Sequence, residues 1–119
     1  QMDIELIIGV APMVPSDFWE VTADNTFPNG WMLEWASQMS DSSSPPLVTS
    51  ISYGAPEDAY GSAYHTREQN EFLKLCTRGL TVMVASGDAG ATSDGHGGGA
   101  CELAPSYPGS SSWVTSVSA

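Results

Sequence analysis

Short runs of apolar, often β-branched residues recur along the chain and are separated by Pro, Gly and Ser. Four of these runs predict strands, near residues 4–10, 47–52, 80–85 and 113–117, because buried strands of a parallel sheet are nearly continuous in hydrophobicity. A further, exposed strand is predicted from Asp17 to Val21. The pattern therefore indicates a sheet whose main strands are buried.

Two stretches between these runs have the spacing of amphipathic helices, with apolar residues three and four positions apart. The first helix is predicted near 30–40, on the apolar positions Trp31, Met32, Trp35, Ala36 and Met39. The second is predicted near 57–78, on the stripe Tyr60, Tyr64, Phe72, Leu75 and Cys76. Glu57 and Asp58 would lie in its first turn, where the helix dipole favours acids, and Gly79 would follow its C-terminus.

The predicted elements alternate between strand and helix along most of the chain. Strands joined through helices of this size form right-handed crossovers, so their sheet is mostly parallel and carries helices on both faces. The expected fold class is therefore α/β. A chain of 119 residues can form one hydrophobic core.

The composition is strongly acidic. Three Lys and Arg residues oppose fourteen Asp and Glu residues, which gives a formal net charge of −11. Such a surface repels nucleic acids and anionic membranes, and we expect neither as a partner. Partial protonation would relieve the repulsion among these carboxylates, which is consistent with an acidic compartment.

The cysteines and histidines do not have the spacing of a metal site. Cys76 and Cys101 leave two alternatives, one disulfide or two free thiols. His65 and His96 have no ligand partners at metal spacing and are expected on the solvated surface. We therefore expect no metal and no other cofactor in this chain.

The clearest candidate for chemistry is Asp88. It lies in the small-residue segment 85–91, directly after the 80–85 run. Ligands and catalytic groups of α/β sheets collect at the carboxyl ends of the strands, where this segment would lie. The alternative is a structural aspartate that accepts hydrogen bonds from the backbone amides of its own turn.

Several separate segments match one known family in their order and approximate spacing. They are residues 2–4, 50–54, 63–67 with Glu71 and Lys74, 78–81, 85–91, 107–108 and 111–117. On these motifs the chain resembles the sedolisins, which are serine-carboxyl peptidases. The resemblance implies a subtilisin-like three-layer fold, of which residues 1–119 would form a central segment.

The resemblance also implies a catalytic Glu-Asp-Ser triad and an oxyanion aspartate. Asp3 corresponds to the triad aspartate and Asp88 to the oxyanion acid. The triad glutamate would lie four residues before Asp3, and the Gly-Thr-Ser-Ala turn of the nucleophile would follow Val117, so both are expected outside this sequence. A carboxyl group donates a hydrogen bond only while it is protonated, which implies activity in acid.

The same resemblance assigns substrate contacts to two strand ends. Residues Ser52, Tyr53 and Gly54 would form the edge that pairs with an extended substrate, although a plain strand end with a turn is the alternative. Residues Ala85, Ser86 and Gly87 would form a wall of the S1 pocket. The family's calcium site is expected in the full-length domain, outside these residues.

These observations predict a segment of an acid-active peptidase that cleaves peptides or proteins, as a tripeptidyl- or endopeptidase, in a lysosome or another acidic compartment or after secretion. The 119 residues alone are expected to be inactive, and the remaining segments of the same peptidase would be a partner. The alternative is a non-catalytic relative or remnant with a binding or structural role.

Overall fold

The computed structural model describes residues 2–21, 30–91 and 103–118. The helices are α1 (Met2–Val10), α2 (Gly30–Asp41) and α3 (Ser62–Thr77), with a 3-10 turn over Glu57–Ala59. The strands are β1 (Val48–Ile51), β2 (Ala55–Pro56), β3 (Thr81–Ala85), β4 (Ser106–Tyr107) and β5 (Thr115–Val117).

The main sheet has the strand order β1-β3-β5, and both strand pairs are parallel. Val48 lies opposite Thr81, and Met83 lies opposite Thr115. The connection from β1 to β3 passes through α3, as the alternating pattern predicts. The expected α/β class with a mostly parallel sheet is confirmed, and it is compatible with part of a subtilisin-like fold.

The prediction of a strand near 4–10 is wrong, because these residues belong to α1. This run is apolar on all sides and therefore has no clear period of two. A strand needs a neighbour for its backbone groups, whereas a helix satisfies most of them within itself. Asp3 and Glu5 in the first turn also favour the helix. Residues 17–21, predicted as an exposed strand, have no regular structure.

The hydrophobic core lies between the two long helices and β3. Helix α2 packs against α3, and α3 packs against β3. The predicted apolar face of α2 is confirmed, with Met32, Trp35, Ala36 and Met39 buried. From α3 the core receives Phe72 and Leu75, and from β3 it receives Val82 and Val84.

The predicted second helix begins later than expected. Glu57 and Asp58 belong to the separate 3-10 turn, and α3 starts at Ser62. Gly79 follows the helix with φ +82, and its amide donates to the Cys76 carbonyl oxygen at 2.9 Å. This is the C′ position predicted for it.

Cys76 is a free thiol, and its Sγ donates to the Trp113 carbonyl oxygen at 2.9 Å. Cys101 lies outside the described residues. Of the two alternatives for the cysteines, the free thiol is therefore observed at Cys76.

Among the parts of the chain that the structure describes, no helix has both the length and the apolar character of a membrane span.

Arg78 joins the end of α3 to the end of α2. Its guanidinium donates to the carbonyl oxygens of Met39 at 2.9 Å and of Ser40 and Ser42 at 2.6 Å. The last carbonyls of a helix have no partner within it, and a cation there also interacts favourably with the helix dipole.

We expect Arg78→Ala to lower the free energy of unfolding by about 1–3 kcal/mol, because three carbonyl oxygens lose a charged donor. Arg67→Ala, at an exposed position of α3, is the matched control and should change it by less than ~0.5 kcal/mol. Urea denaturation of both variants measures the difference. Equal effects would contradict the capping role.

Candidate active site

A cavity of about 460 Å³ lies at the carboxyl ends of β1 and β3. Because these strands are parallel neighbours, the segments that follow them emerge side by side. The first segment contributes Ser52, Tyr53 and Gly54 to the lining, and the second contributes residues 85–90. The cavity therefore occupies the position at which α/β sheets bind ligands.

Both carboxyl groups predicted to be catalytic line this cavity. Asp3 reaches it from the first turn of α1, and Asp88 from the turn after β3. Both residues are exposed, so a ligand can approach them from solvent. The structure thus brings together all eight predicted site residues: Asp3, Ser52, Tyr53, Gly54, Ala85, Ser86, Gly87 and Asp88.

The turn that carries Asp88 depends on left-handed backbone at its glycines. Gly87 has φ +101 and Gly90 has φ +67, conformations that other residues rarely adopt. The amide of Ser86 donates to the Val117 carbonyl oxygen at 3.0 Å, which joins the start of this turn to β5. The backbone conformation of this turn therefore determines the position of Asp88 relative to the end of β3.

The opposite wall of the cavity is a small antiparallel pair formed by β2 and β4. Ala55 lies opposite Tyr107, and Pro56 lies opposite Ser106. The wall approaches the β1 end so closely that a Cβ on Gly54 would lie 2.7 Å from Ser106 Oγ. Sequence reasoning missed this pair, because two-residue strands have no periodic pattern.

The aromatic ring of Tyr53 has support from behind the cavity. Tyr53 packs edge-to-face on Trp31 of α2, with ring centroids 5.0 Å apart and an interplanar angle of 88°. This contact orients the Tyr53 ring at the cavity rim. Trp31, predicted as part of the apolar stripe of α2, is half-buried.

A second cluster of titratable side chains lies behind β4. It consists of Tyr60, Tyr64, His65, Glu68 and Tyr107. His65, expected on the solvated surface, is partly exposed and packs one side against the Tyr107 ring, with centroids 4.3 Å apart. His96 lies outside the described residues.

Sequence reasoning also missed Glu68. It lies four residues after Tyr64 and four before Phe72, so helical spacing places it on the apolar stripe of α3. That spacing was a usable signal, but a glutamate is rarely buried.

Within residues 2–21, 30–91 and 103–118, no group of three or more His, Cys, Asp or Glu side chains could hold a metal ion.

Comparison with known proteins shows that the chain is similar in sequence to curated peptidases. No family model matches it. It is 43% identical to "Tripeptidyl-peptidase 1" of Canis lupus familiaris, 44% to that of Rattus norvegicus and 41% to that of Homo sapiens, each over 89 residues. These matches cover 71% of this chain and 15% of each relative.

The chain therefore spans about 15% of the length of the curated relatives it matches. The similarity is consistent with a partial domain. The resemblance to the sedolisin family is confirmed by these relatives: the chain is similar to a part of tripeptidyl-peptidase 1.

Proposed function

We propose that this chain is the part of an acid-active serine-carboxyl peptidase that supplies the triad aspartate, Asp3, and the oxyanion acid, Asp88. One observation carries the proposal. The two carboxyl groups, 85 positions apart in number, line one cavity together with both strand ends expected to contact substrate. The similarity to tripeptidyl-peptidase 1 supports the same conclusion.

The proposed chemistry is acyl transfer to a serine. The serine hydroxyl attacks the carbonyl carbon of the scissile peptide bond, and its proton passes to the carboxylate pair of which Asp3 is one member. Asp88, while protonated, donates a hydrogen bond to the oxyanion that develops on the carbonyl oxygen. The intermediate collapses, the amine leaves with a proton from the carboxyl pair, and water then releases the acyl group.

No Gly-Thr-Ser-Ala turn occurs within residues 1–119. In this proposal the nucleophile and the triad glutamate belong to other parts of the same peptidase. Histidine is not needed as the base, because two adjacent carboxyls that share a proton can accept one in acid. The 119 residues by themselves should not turn over peptide.

The cavity fits an extended peptide as the substrate. The backbone of residues 52–54 continues from β1 and offers an edge for β-addition. The segment 85–87 also lines the cavity, and Ser106 lies close to Gly54 at the end of the proposed edge. The net charge of −11 supports a working site in an acidic compartment, such as a lysosome.

The test uses the whole protein and two peptides of one core sequence, one with a free N-terminus and one blocked and internally quenched. We expect cleavage that is fastest in acid and declines toward neutral pH, since Asp88 must hold a proton. Mass spectrometry then identifies the products. Release of tripeptides from the free peptide alone would indicate an exopeptidase, and cleavage of both would indicate an endopeptidase.

The alternative is a non-catalytic protein that binds peptides in the same cavity. The same cavity and the strand end at residues 52–54 would serve peptide binding without catalysis. In that case the two peptides would bind to the whole protein without turnover at any pH. That result would overturn the peptidase proposal.

A further inference from the structure

Glu68 is a carboxyl group fully buried in the core side of α3, with 0% of its surface exposed. Its Oε1 accepts a hydrogen bond from the Tyr64 hydroxyl at 3.1 Å. The Tyr107 hydroxyl is a neighbour of the same carboxyl, and both Glu68 Oε2 and the Tyr107 hydroxyl are buried without another hydrogen-bond partner. A charged carboxylate at this fully buried position would lose its hydration, which is costly.

The cluster around Glu68 connects α3 to the cavity wall. The Tyr107 ring contacts His65 at 4.3 Å and Tyr60 at 5.4 Å between centroids, and Tyr107 is itself fully buried. The preceding residue, Ser106, lines the cavity, because successive side chains of a strand point to opposite faces. A contact that fixes the position of Tyr107 therefore also fixes the position of Ser106, its neighbour in β4.

We propose that Glu68, while protonated, is a positioning residue that holds β4 against α3. Because Ser106 of β4 lines the cavity, Glu68 thereby also positions this part of the cavity lining. The neutral carboxyl can accept a hydrogen bond from the Tyr107 hydroxyl at Oε2, which pairs these two buried groups without burying a charge. In acid this neutral pair keeps β4 packed against α3, whereas at neutral pH the proton leaves a buried charge, and hydration of that charge requires β4 to loosen. The link to peptide cleavage rests on the proposed function, but the link to the structure of β4 does not.

The surrounding groups support this assignment. Burial raises the pKa of Glu68 above its usual range, against smaller opposing effects from the hydroxyls of Tyr107 and Tyr64 and the charge of His65. Burial and the nearby Glu68 charge raise the pKa of Tyr60 to about 12, so this tyrosine stays neutral. The facing titratable groups are Tyr64 and His65 from α3, Tyr60 from the turn before it and Tyr107 from β4, while Glu34 and Asp41 of α2 are exposed.

The direction of the pH effect follows from this shift. The folded protein binds the Glu68 proton more tightly than the unfolded chain does. The resulting stabilisation is complete below the unfolded pKa of a glutamate, near ~4.3, and is lost as pH rises through the higher pKa of the folded state. A glutamine at this position is neutral at every pH and should lose this dependence.

The experiment measures the thermal unfolding of the whole protein with Glu68→Gln between pH 4 and 8. We expect Tm of the parent to fall relative to the variant by roughly 2–8 °C over this range. Glu71→Gln, a second carboxyl on α3 that pairs with exposed Lys74, is the matched control and should follow the parent. Parallel curves for the parent and Glu68→Gln would overturn the proposal.

Two further measurements locate the effect and guard against a variant that does not fold. A ¹³C NMR titration of the glutamate side chains in the parent should show a carboxyl that stays protonated well above the ordinary ones and whose signal is missing from Glu68→Gln. Amide hydrogen exchange of residues 103–110, corrected for intrinsic pH dependence, should accelerate at neutral pH in the parent but not in Glu68→Gln. Titration of all glutamates together would contradict the assignment, and so would unchanged exchange.

The rate of peptide cleavage is the last measurement in this experiment. If the protein cleaves peptide, Glu68→Gln should keep the parent rate in acid and exceed it severalfold at neutral pH, mainly through a lower KM, while Glu68→Ala should be slower at every pH. If no peptide is cleaved under any condition, the proposed function fails, and the unfolding and exchange results still decide the role of Glu68.

Discussion

Asp3→Ala in the whole protein is expected to reduce kcat for peptide cleavage by roughly four orders of magnitude, the scale on which loss of a triad carboxylate acts in serine peptidases. The physical reason is that the second carboxyl of the pair would have to accept the serine proton alone. Steady-state kinetics at the acid optimum, with KM recorded separately, measures the effect.

Glu5→Gln is the matched control for this variant. Glu5 is a second exposed acid in the first turn of α1, and it does not line the cavity. It should retain most of the parent rate. If Asp3→Ala kept more than a tenth of the activity, Asp3 would not be a triad member.

Asp88→Ala should reduce kcat by about 10²–10³-fold, the usual loss for one oxyanion donor. Asp88→Asn should keep more activity and move the pH profile upward, because an amide donates a hydrogen bond at every pH whereas a carboxyl donates only when protonated. The asparagine can also present its carbonyl oxygen to the site, which would reduce the rescue. The pH dependence of kcat for both variants measures these effects.

Asp58→Asn is the control, because Asp58 is an exposed acid in the 3-10 turn, outside the cavity lining. Its pH profile should match the parent. An Asp88→Ala variant with an unchanged rate in acid would show that Asp88 is not the oxyanion donor, and it would leave the turn aspartate as its only role.

The regular elements with a strong periodic pattern were predictable from sequence. Helix α2 follows from the spacing of Met32, Trp35 and Met39, and β3 follows from its β-branched run before Gly87. Their location was predictable because side-chain burial has a period, and the period reveals the secondary structure. Helix α1 was not predictable in this way, because its apolar residues surround the helix and none of them is buried.

The candidate site was predictable to a similar extent. Asp88 and the segments 52–54 and 85–87 follow strands that sequence identified, and Asp3 came from the family resemblance alone. The β2–β4 wall was missed because Ala55 and Tyr107 pair across 52 positions with only two residues in each strand. Such a pair depends on how the loops return to the sheet, and no local pattern encodes that path.

Sequence by itself determined the α/β class and the order of the central strands and helices, because burial periodicity is a local property of the chain. It also located Asp88 directly after β3. Only the tertiary structure decided that Asp3 and Asp88 line one cavity, that Ser106 faces Gly54, and that Glu68 is buried under Tyr107. The reason is physical. Each of these arrangements depends on contacts between segments far apart in the chain, and the local periodicity of the sequence does not encode such contacts.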